Sequence, residues 1–280
     1  LDFRNSAVLD HVNEVIDRVV NEYGVGYIKM DYNIEPGIGT ELYADSVGQG
    51  MLEHERAYLK WLDGLFIKYP ELVIENCSSG GLRTDYALLS RCSILSTSDQ
   101  EDYGHYATIS ANAAAGVTPE QAAVWSYPMR NGDEEETIFN MVNTLLLRIH
   151  QSGHLAELSD VRKALVKEGI DYYKSIRQNI KTALPVWPVG YADYQDKWLC
   201  FALKTEKKAY LAVWRRGAGE EMSIPLANLW KDGACEEVVL SYPKESMKDN
   251  CSFIFDKEKD ILTVNFKQPV MARLFEITKK

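Results

Sequence analysis

The sequence predicts an α/β protein of repeated parallel β/α units, followed by a small antiparallel β domain. Three observations lead there. From residue 5 to about 182, amphipathic helical segments alternate with short apolar strands, the rhythm of parallel β/α units. The strands run out into polar clusters, where α/β barrels and open α/β sheets carry their sites. Past Leu184-Pro185-Val186-Trp187-Pro188 the pattern becomes β-like, with glycine turns between runs.

Asn5 or Ser6 is placed to cap a first helix, with Val8, Val12, Val15, Ile16, Val19 and Val20 on one face and Gly24 as its stop. Val25 to Met30 is the first strand. The glycine-rich stretch 34–49 reads as a loop. A helix covers roughly 50–68, with Tyr58, Leu59, Leu62, Leu65 and Phe66 inward. Leu72-Val73-Ile74 is a short buried strand that ends at Glu75-Asn76-Cys77-Ser78-Ser79-Gly80-Gly81. A short helix at 86–90, a strand at 93–97 and a helix around 105–114 follow. Ala122 to Ser126 is a strand, Glu134 to His150 a helix, and Gly153 to Leu155 a further candidate strand. Ser159 caps a long helix to about 181. Beyond 184, strands are expected at 198–203, 209–215, 222–226, 236–240 and 261–266. The expected domains are 1–184 and 185–280.

A length of 280 residues suits one large domain, or one domain with a smaller companion. The hydrophobic share of 46% with 26% charged is ordinary globular composition. The net charge of −10 argues against nucleic acid or an anionic membrane as partner, since both call for a basic face. Five scattered cysteines without C-x-x-C argue against a disulfide framework or zinc site and fit a reducing cytoplasm. No apolar run approaches a membrane span, and no signal peptide is visible. Leu1-Asp2-Phe3 reads like the end of a strand, so the chain is expected to begin inside a longer protein.

Two carboxylates stand out. Asp31 ends the strand of Tyr27-Ile28-Lys29-Met30-Asp31, and Asp99 follows the strand Ile94 to Thr97. Two strand ends of one parallel sheet aim their carboxylates into one mouth, the equipment of glycoside hydrolysis. In a retaining enzyme the pair stands about 5–5.5 Å apart. Lys29 near Asp31 favours an ionised nucleophile, while Glu101 and Asp102 near Asp99 favour a protonated acid. Asp102 and Glu101 are themselves alternatives for that acid. Cys77 to Gly81 offers hydroxyls and backbone N–H groups to a sugar. A cysteine nucleophile is the rival reading, but no base lies near Cys77 in sequence. Tyr32, Tyr103, Trp125 and Tyr127 suit sugar faces or plain packing. Of the five histidines only His150 and His154 have ligand spacing, with a helix end expected between them. Gly37-Ile38-Gly39 is a weak echo of a dinucleotide loop.

These residues resemble motifs of glycoside hydrolase family 36, the bacterial α-galactosidases. Lys29-Met30-Asp31-Tyr32-Asn33 resembles the family's K-W-D-M-N. Cys77 to Gly81 with Arg83 and Asp85 resembles C-S-S-G-G-G-R-x-D, and Thr97-Ser98-Asp99 resembles T-S-D. The likeness covers most of residues 1–182. It implies a (β/α)8 TIM barrel with a C-terminal β-sandwich. It also implies Asp31 as nucleophile, Asp99 as acid/base, and a sugar pocket of Lys29, Asn33, Cys77, Ser79 and Gly80, with no metal or organic cofactor. The implied partner is an oligosaccharide or galactoside, and the full-length protein is a candidate homo-oligomer.

The sequence departs from the family pattern at Met30 and Ser96, each in place of a tryptophan, at Ile34 for an arginine and at Leu82 for a glycine. Hydrolysis of an α-galactoside is the first expectation. α-N-Acetylgalactosaminide hydrolysis, transglycosylation and a binding barrel without turnover are the alternatives. The resemblance also makes Asp31 the end of the fourth barrel strand, so that this chain carries strands four to eight. The first three strands are then expected upstream, and residues 1–280 alone are expected to be inactive and poorly soluble.

Overall fold

A computed structural model describes residues 1–34, 39–230, 233–244 and 248–280. Part of the loop read at 34–49, and Gly37 and Ile38 of the glycine echo, lie outside the described residues. The chain forms two compact units, Leu1–Ser96 and Thr97–Lys280.

The first unit holds α1 (Ser6–Asn21), β1 (Tyr27–Asp31), α2 (Gln49–Lys68), β2 (Val73–Cys77), α3 (Tyr86–Leu89) and β3 (Ile94–Ser96). Asn5 caps α1 by accepting the Ala7 N–H. Of the valine and isoleucine stripe on α1, only Ile16 is fully buried; the valines are half-buried. Strands β1 and β2 are parallel, and β2 is parallel to β3. Tyr58, Leu62 and Leu65 of α2 pack on Leu72, Ile74 and Leu88 to form this unit's core. The sequence ends β2 at Ile74. The structure carries it on through Glu75, Asn76 and Cys77, which pair in register with Lys29, Met30 and Asp31. They are strand residues because each continues the parallel ladder with β1.

The second unit begins with α4 (Tyr103–Asn112), β4 (Ala122–Ser126), α5 (Glu134–Val142), β5 (Arg148–Gln151) and α6 (Asp160–Ile180). Here the structure corrects the sequence reading in two places. The helix expected to reach His150 stops at Val142, and Arg148–Gln151 is a strand parallel to β4, pairing from Ala123↔Arg148 to Ser126↔Gln151. Thr144 turns its hydroxyl back to the Met141 carbonyl at the helix end, 2.8 Å away. The buried run Leu145-Leu146-Leu147 hides the change, because apolar residues in succession carry no period. The strand expected at Gly153 to Leu155 is instead a bend, with Gly153 at φ +79°, that leads into a 3-10 turn at Leu155–Glu157.

The rest of the unit is antiparallel: β6 (Leu184–Val186), β7 (Trp198–Lys204), β8 (Lys208–Arg216), β9 (Glu221–Pro225), β10 (Cys235–Tyr242), β11 (Cys251–Asp256), β12 (Ile261–Phe266) and β13 (Val270–Lys279). They form two sheets, ordered β10-β13-β8-β7-β6 and β11-β12-β9. Leu211, Val213 and Phe275 of the first share one core with Ile224, Leu262 and Phe266 of the second. The sequence reading did not assign β6, β11 or β13. Arg273 of β13 meets Glu135 of α5 in a fully buried, two-pronged pair at 2.7 and 2.8 Å. Among the described residues, no helix is long and apolar enough to cross a membrane.

Candidate active site

Period-two alternation along β1 decides which side chains share a face. Tyr27, Lys29 and Asp31 point one way, and Ile28 and Met30 point toward the helix layer. There the Tyr58 hydroxyl donates to Met30 Sδ at 3.9 Å. Across the register, Glu75 and Cys77 of β2 share the face of Lys29 and Asp31. The Tyr27 hydroxyl donates to Glu75 Oε2, Lys29 Nζ lies 3.8 Å from Glu75 Oε1, and Asp31 is the register partner of Cys77. Burial pushes the Cys77 thiol up. The Gly80 backbone and the Lys29 charge act the other way but do not win. A thiol held protonated is a poor nucleophile, so the cysteine-nucleophile reading loses its support.

The turns after β1 and β2 are bolted together. The Tyr32 N–H donates to the Cys77 carbonyl at 2.8 Å, and the Tyr32 carbonyl accepts from the Ser78 hydroxyl and from Arg83 Nε. Asn33 Oδ1 accepts the Ser79 N–H at 2.6 Å and its hydroxyl at 3.2 Å. The Ser79 N–H that the sequence reading offered to a sugar is thus engaged by Asn33. Ser79 and Gly80 both sit at positive φ, +43° and +77°. Gly80 adopts this without cost, while Ser79 is strained, and such strain gathers at ligand-binding turns.

Beside Asp31 opens a cleft of about 410 Å³, walled by Phe3, Met30, Met51, His54, Tyr58 and Trp61. Buried His54 accepts the Phe3 N–H at Nδ1, 3.1 Å away, which leaves the proton on Nε2, 2.9 Å from the Tyr32 hydroxyl. The sequence reading weighed His54 only as a metal ligand and missed this role. Its place on the four-residue stripe Gly50, His54, Tyr58, Leu62 was the available signal. Glu75 was likewise missed, because it was read as loop.

Lys29, Asp31, Asn33, Cys77, Ser79 and Gly80 thus gather at the carboxyl ends of β1 and β2 in the first unit. Asp99 belongs to the second unit. There Thr97 donates from both its N–H and its hydroxyl to the Ala123 carbonyl, at 3.1 and 2.7 Å. The Tyr106 hydroxyl donates to the Ser98 carbonyl at 3.1 Å. Asp99 itself is exposed. Asp102 caps α4 by accepting the His105 N–H at 2.7 Å, a structural duty that weakens it as an alternative acid. Burial pushes the Tyr127 hydroxyl up to about 12, helped by the charges of Glu101 and Asp99 nearby. Trp125 stacks on Tyr127 and meets His150 edge to face, with ring centres 5.8 and 4.8 Å apart. His150 is on β5, and His154 Nδ1 accepts the Arg130 N–H, so the two do not form a helical ligand pair. Among the described residues, no three His, Cys, Asp or Glu side chains are placed to hold a metal.

Comparisons with known proteins give the family of the chain. α-Galactosidase 2 of Pediococcus pentosaceus is 31% identical over 113 residues, 39% of this chain and 15% of its own length. α-Galactosidase AgaA of Geobacillus stearothermophilus is 21% identical over 204 residues, 65% of this chain and 26% of its own. The chain therefore spans well under a third of these relatives. A solved structure of the same AgaA, in complex with 1-deoxygalactonojirimycin, superposes on all of this chain and 39% of its own, with a TM-score of 0.82 at 14% identity. The galactosidase domain of the α-galactosidase-sucrose kinase AgaSK gives 0.75 at 20% identity, over all of this chain and 38% of that one. These likenesses show the fold. The protein-family model described as Melibiase matches residues 1–183, well over half of the chain, and the chain belongs to that melibiase family, glycoside hydrolase family 36.

Proposed function

We propose that the protein is a retaining α-glycosidase that hydrolyses terminal α-galactosides. The Asp31 carboxylate attacks the anomeric carbon as Asp99 protonates the departing glycosidic oxygen. A covalent galactosyl-enzyme forms. Asp99, now a carboxylate, takes a proton from water, whose oxygen attacks the anomeric carbon and releases Asp31. Two inversions give net retention. Lys29, Asn33, Cys77, Ser79 and Gly80 hold the sugar's hydroxyls. In this reading β1 to β5 are strands four to eight of a (β/α)8 barrel, residues 1–184 belong to that barrel, and 185–280 form a β-sandwich.

The observation that carries the reading is the end of β1. Asp31 is its last residue, in register with Cys77, on the same face as Lys29. Met30 packs on the helix layer and also walls the cleft beside Asp31, so that departure bears on which sugar fits and leaves the placement of Asp31 as it is.

The test uses the protein in its full-length form with aryl α-glycosides. Asp31→Gly should be inactive and should regain turnover with azide, yielding β-galactosyl azide. Full activity in the Asp31→Asn variant would remove the proposal. Galactosides and N-acetylgalactosaminides compared in the same assay give the sugar, and excess sugar acceptor separates hydrolysis from transglycosylation.

A further inference from the structure

The geometry points to Glu75 as a positioning residue that holds Lys29 for the sugar. The inference rests on the function proposed above, in which Lys29 contacts galactose hydroxyls, and adds the group that decides where Lys29 can be.

Glu75 lies at the middle of β2 with 1% of its surface exposed. A carboxylate taken that far from water is costly unless charge and hydrogen bonds compensate. Two neighbours on β1 supply the compensation. The Tyr27 hydroxyl donates to Oε2, and the Lys29 ammonium faces Oε1 at 3.8 Å. Parallel pairing makes the contact hard to avoid, since Glu75 is the register partner of Lys29 and Tyr27 stands two residues earlier on the same face.

The asymmetry between the partners assigns the roles. Lys29 keeps a third of its side chain exposed, while Glu75 keeps 2%. Lys29 is therefore the partner that reaches the open side, and Glu75 is the anchor below it. A lysine carries its charge on a flexible four-carbon stem. A carboxylate fixed by a sheet register and a tyrosine hydroxyl removes much of that freedom before the sugar arrives. The same register puts Asp31 one step further along the face, so the order along it is anion, cation, anion.

Glu75→Gln separates this role from packing. The amide keeps the volume and an oxygen for the Tyr27 hydroxyl, and removes only the charge that faces Lys29. The experiment is a double-mutant cycle of Glu75→Gln and Lys29→Ala in the full-length protein. It reads kcat/KM on an aryl α-galactoside and, by calorimetry, affinity for 1-deoxygalactonojirimycin. Glu75→Gln alone should lose roughly tenfold to a hundredfold, the size of effect that misplacing a binding group brings. In the Lys29→Ala background it should lose little more. Galactosides lacking one hydroxyl at a time should show both single variants losing selectivity at the same hydroxyl.

Additive losses in the cycle, or a Glu75→Gln variant with wild-type binding and turnover, overturn the proposal. Glu75→Asp guards against a variant that fails to fold. It keeps the charge one methylene short and should lose less than Glu75→Gln; the reverse order overturns the proposal too. If the wild-type protein binds the iminosugar without turning over galactosides, the hydrolase reading falls, while the binding cycle still decides on Glu75.

Discussion

The guanidinium carbon of Arg83 lies over the ring of Tyr32, 3.6 Å from its centre. Its nitrogens also reach the chain on either side of Asn33. Nε donates to the Tyr32 carbonyl and Nη2 to the Ile34 carbonyl, both at 3.1 Å, while Nη1 faces Glu55 at 3.6 Å. Arg83's own carbonyl is held by Asn76 Nδ2 at 2.8 Å. One arginine therefore fixes the segment that leaves Asp31. Arg83→Lys keeps the charge but loses the planar stack and the fork. It should cost about 2 kcal/mol, read as a lowered denaturant midpoint at unchanged slope. An unaltered midpoint would show that the segment holds itself.

Asp99, Asp102 and Glu101 are the three carboxylates offered for the role of acid, and a capping hydrogen bond sets Asp102 apart. Asp102 is occupied as the cap of α4. Asp102→Ala should cost about 1 kcal/mol of stability and leave the dependence of rate on the leaving group as in the wild type. Asp99→Ala should cost roughly 10²- to 10⁴-fold on alkyl galactosides, which need a proton on the departing oxygen. Nitrophenyl galactosides should lose far less in the first step. Swapped outcomes for the two variants would move the acid to Asp102.

The Glu135–Arg273 pair joins residues distant in the chain but buried together, and Asn250 adds a hydrogen bond to Glu135 at 2.9 Å. Arg273→Met strands a buried carboxylate and should destabilise by about 3–5 kcal/mol. Glu135→Leu combined with Arg273→Met removes both charges and should recover much of that loss. Calorimetric unfolding of the three variants checks this, and a double variant as unstable as Arg273→Met would contradict it.

Local chemistry was the part legible in the sequence. Asn5 and Ser159 sit where helices start because each places a side-chain oxygen against an orphan N–H. Lys29, Asp31 and Asp99 were legible because a charge at a strand's end breaks an apolar run. Glu75 was not, since a polar residue inside a strand looks like the end of that strand until the register with Lys29 is known. His54 was hidden for a similar reason: its partners, Phe3 and Tyr32, come from two distant segments. β5 was hidden behind the run Leu145-Leu146-Leu147 that precedes it, where burial on all sides erases the period that separates helix from strand.

All five cysteines are free, and burial raises every one of their thiols. Cys92 and Cys251 are pushed up to about 11, and Cys200 and Cys235 to about 12, from an ordinary value of 9.0. A group that holds its proton more tightly when folded stabilises the fold below its unfolded pKa. That contribution is lost as pH rises through the folded value. The unfolding free energy should therefore fall from about pH 9 upward, each fully buried thiol contributing up to about 1.4 kcal/mol per pH unit. Cys200→Ala should flatten the slope, because it removes the proton that the folded state retains. At pH 8 the native protein should resist iodoacetamide, and Cys77 should label no faster than the others. An unchanged slope in Cys200→Ala, or rapid labelling at Cys77, would show that burial does not control these thiols.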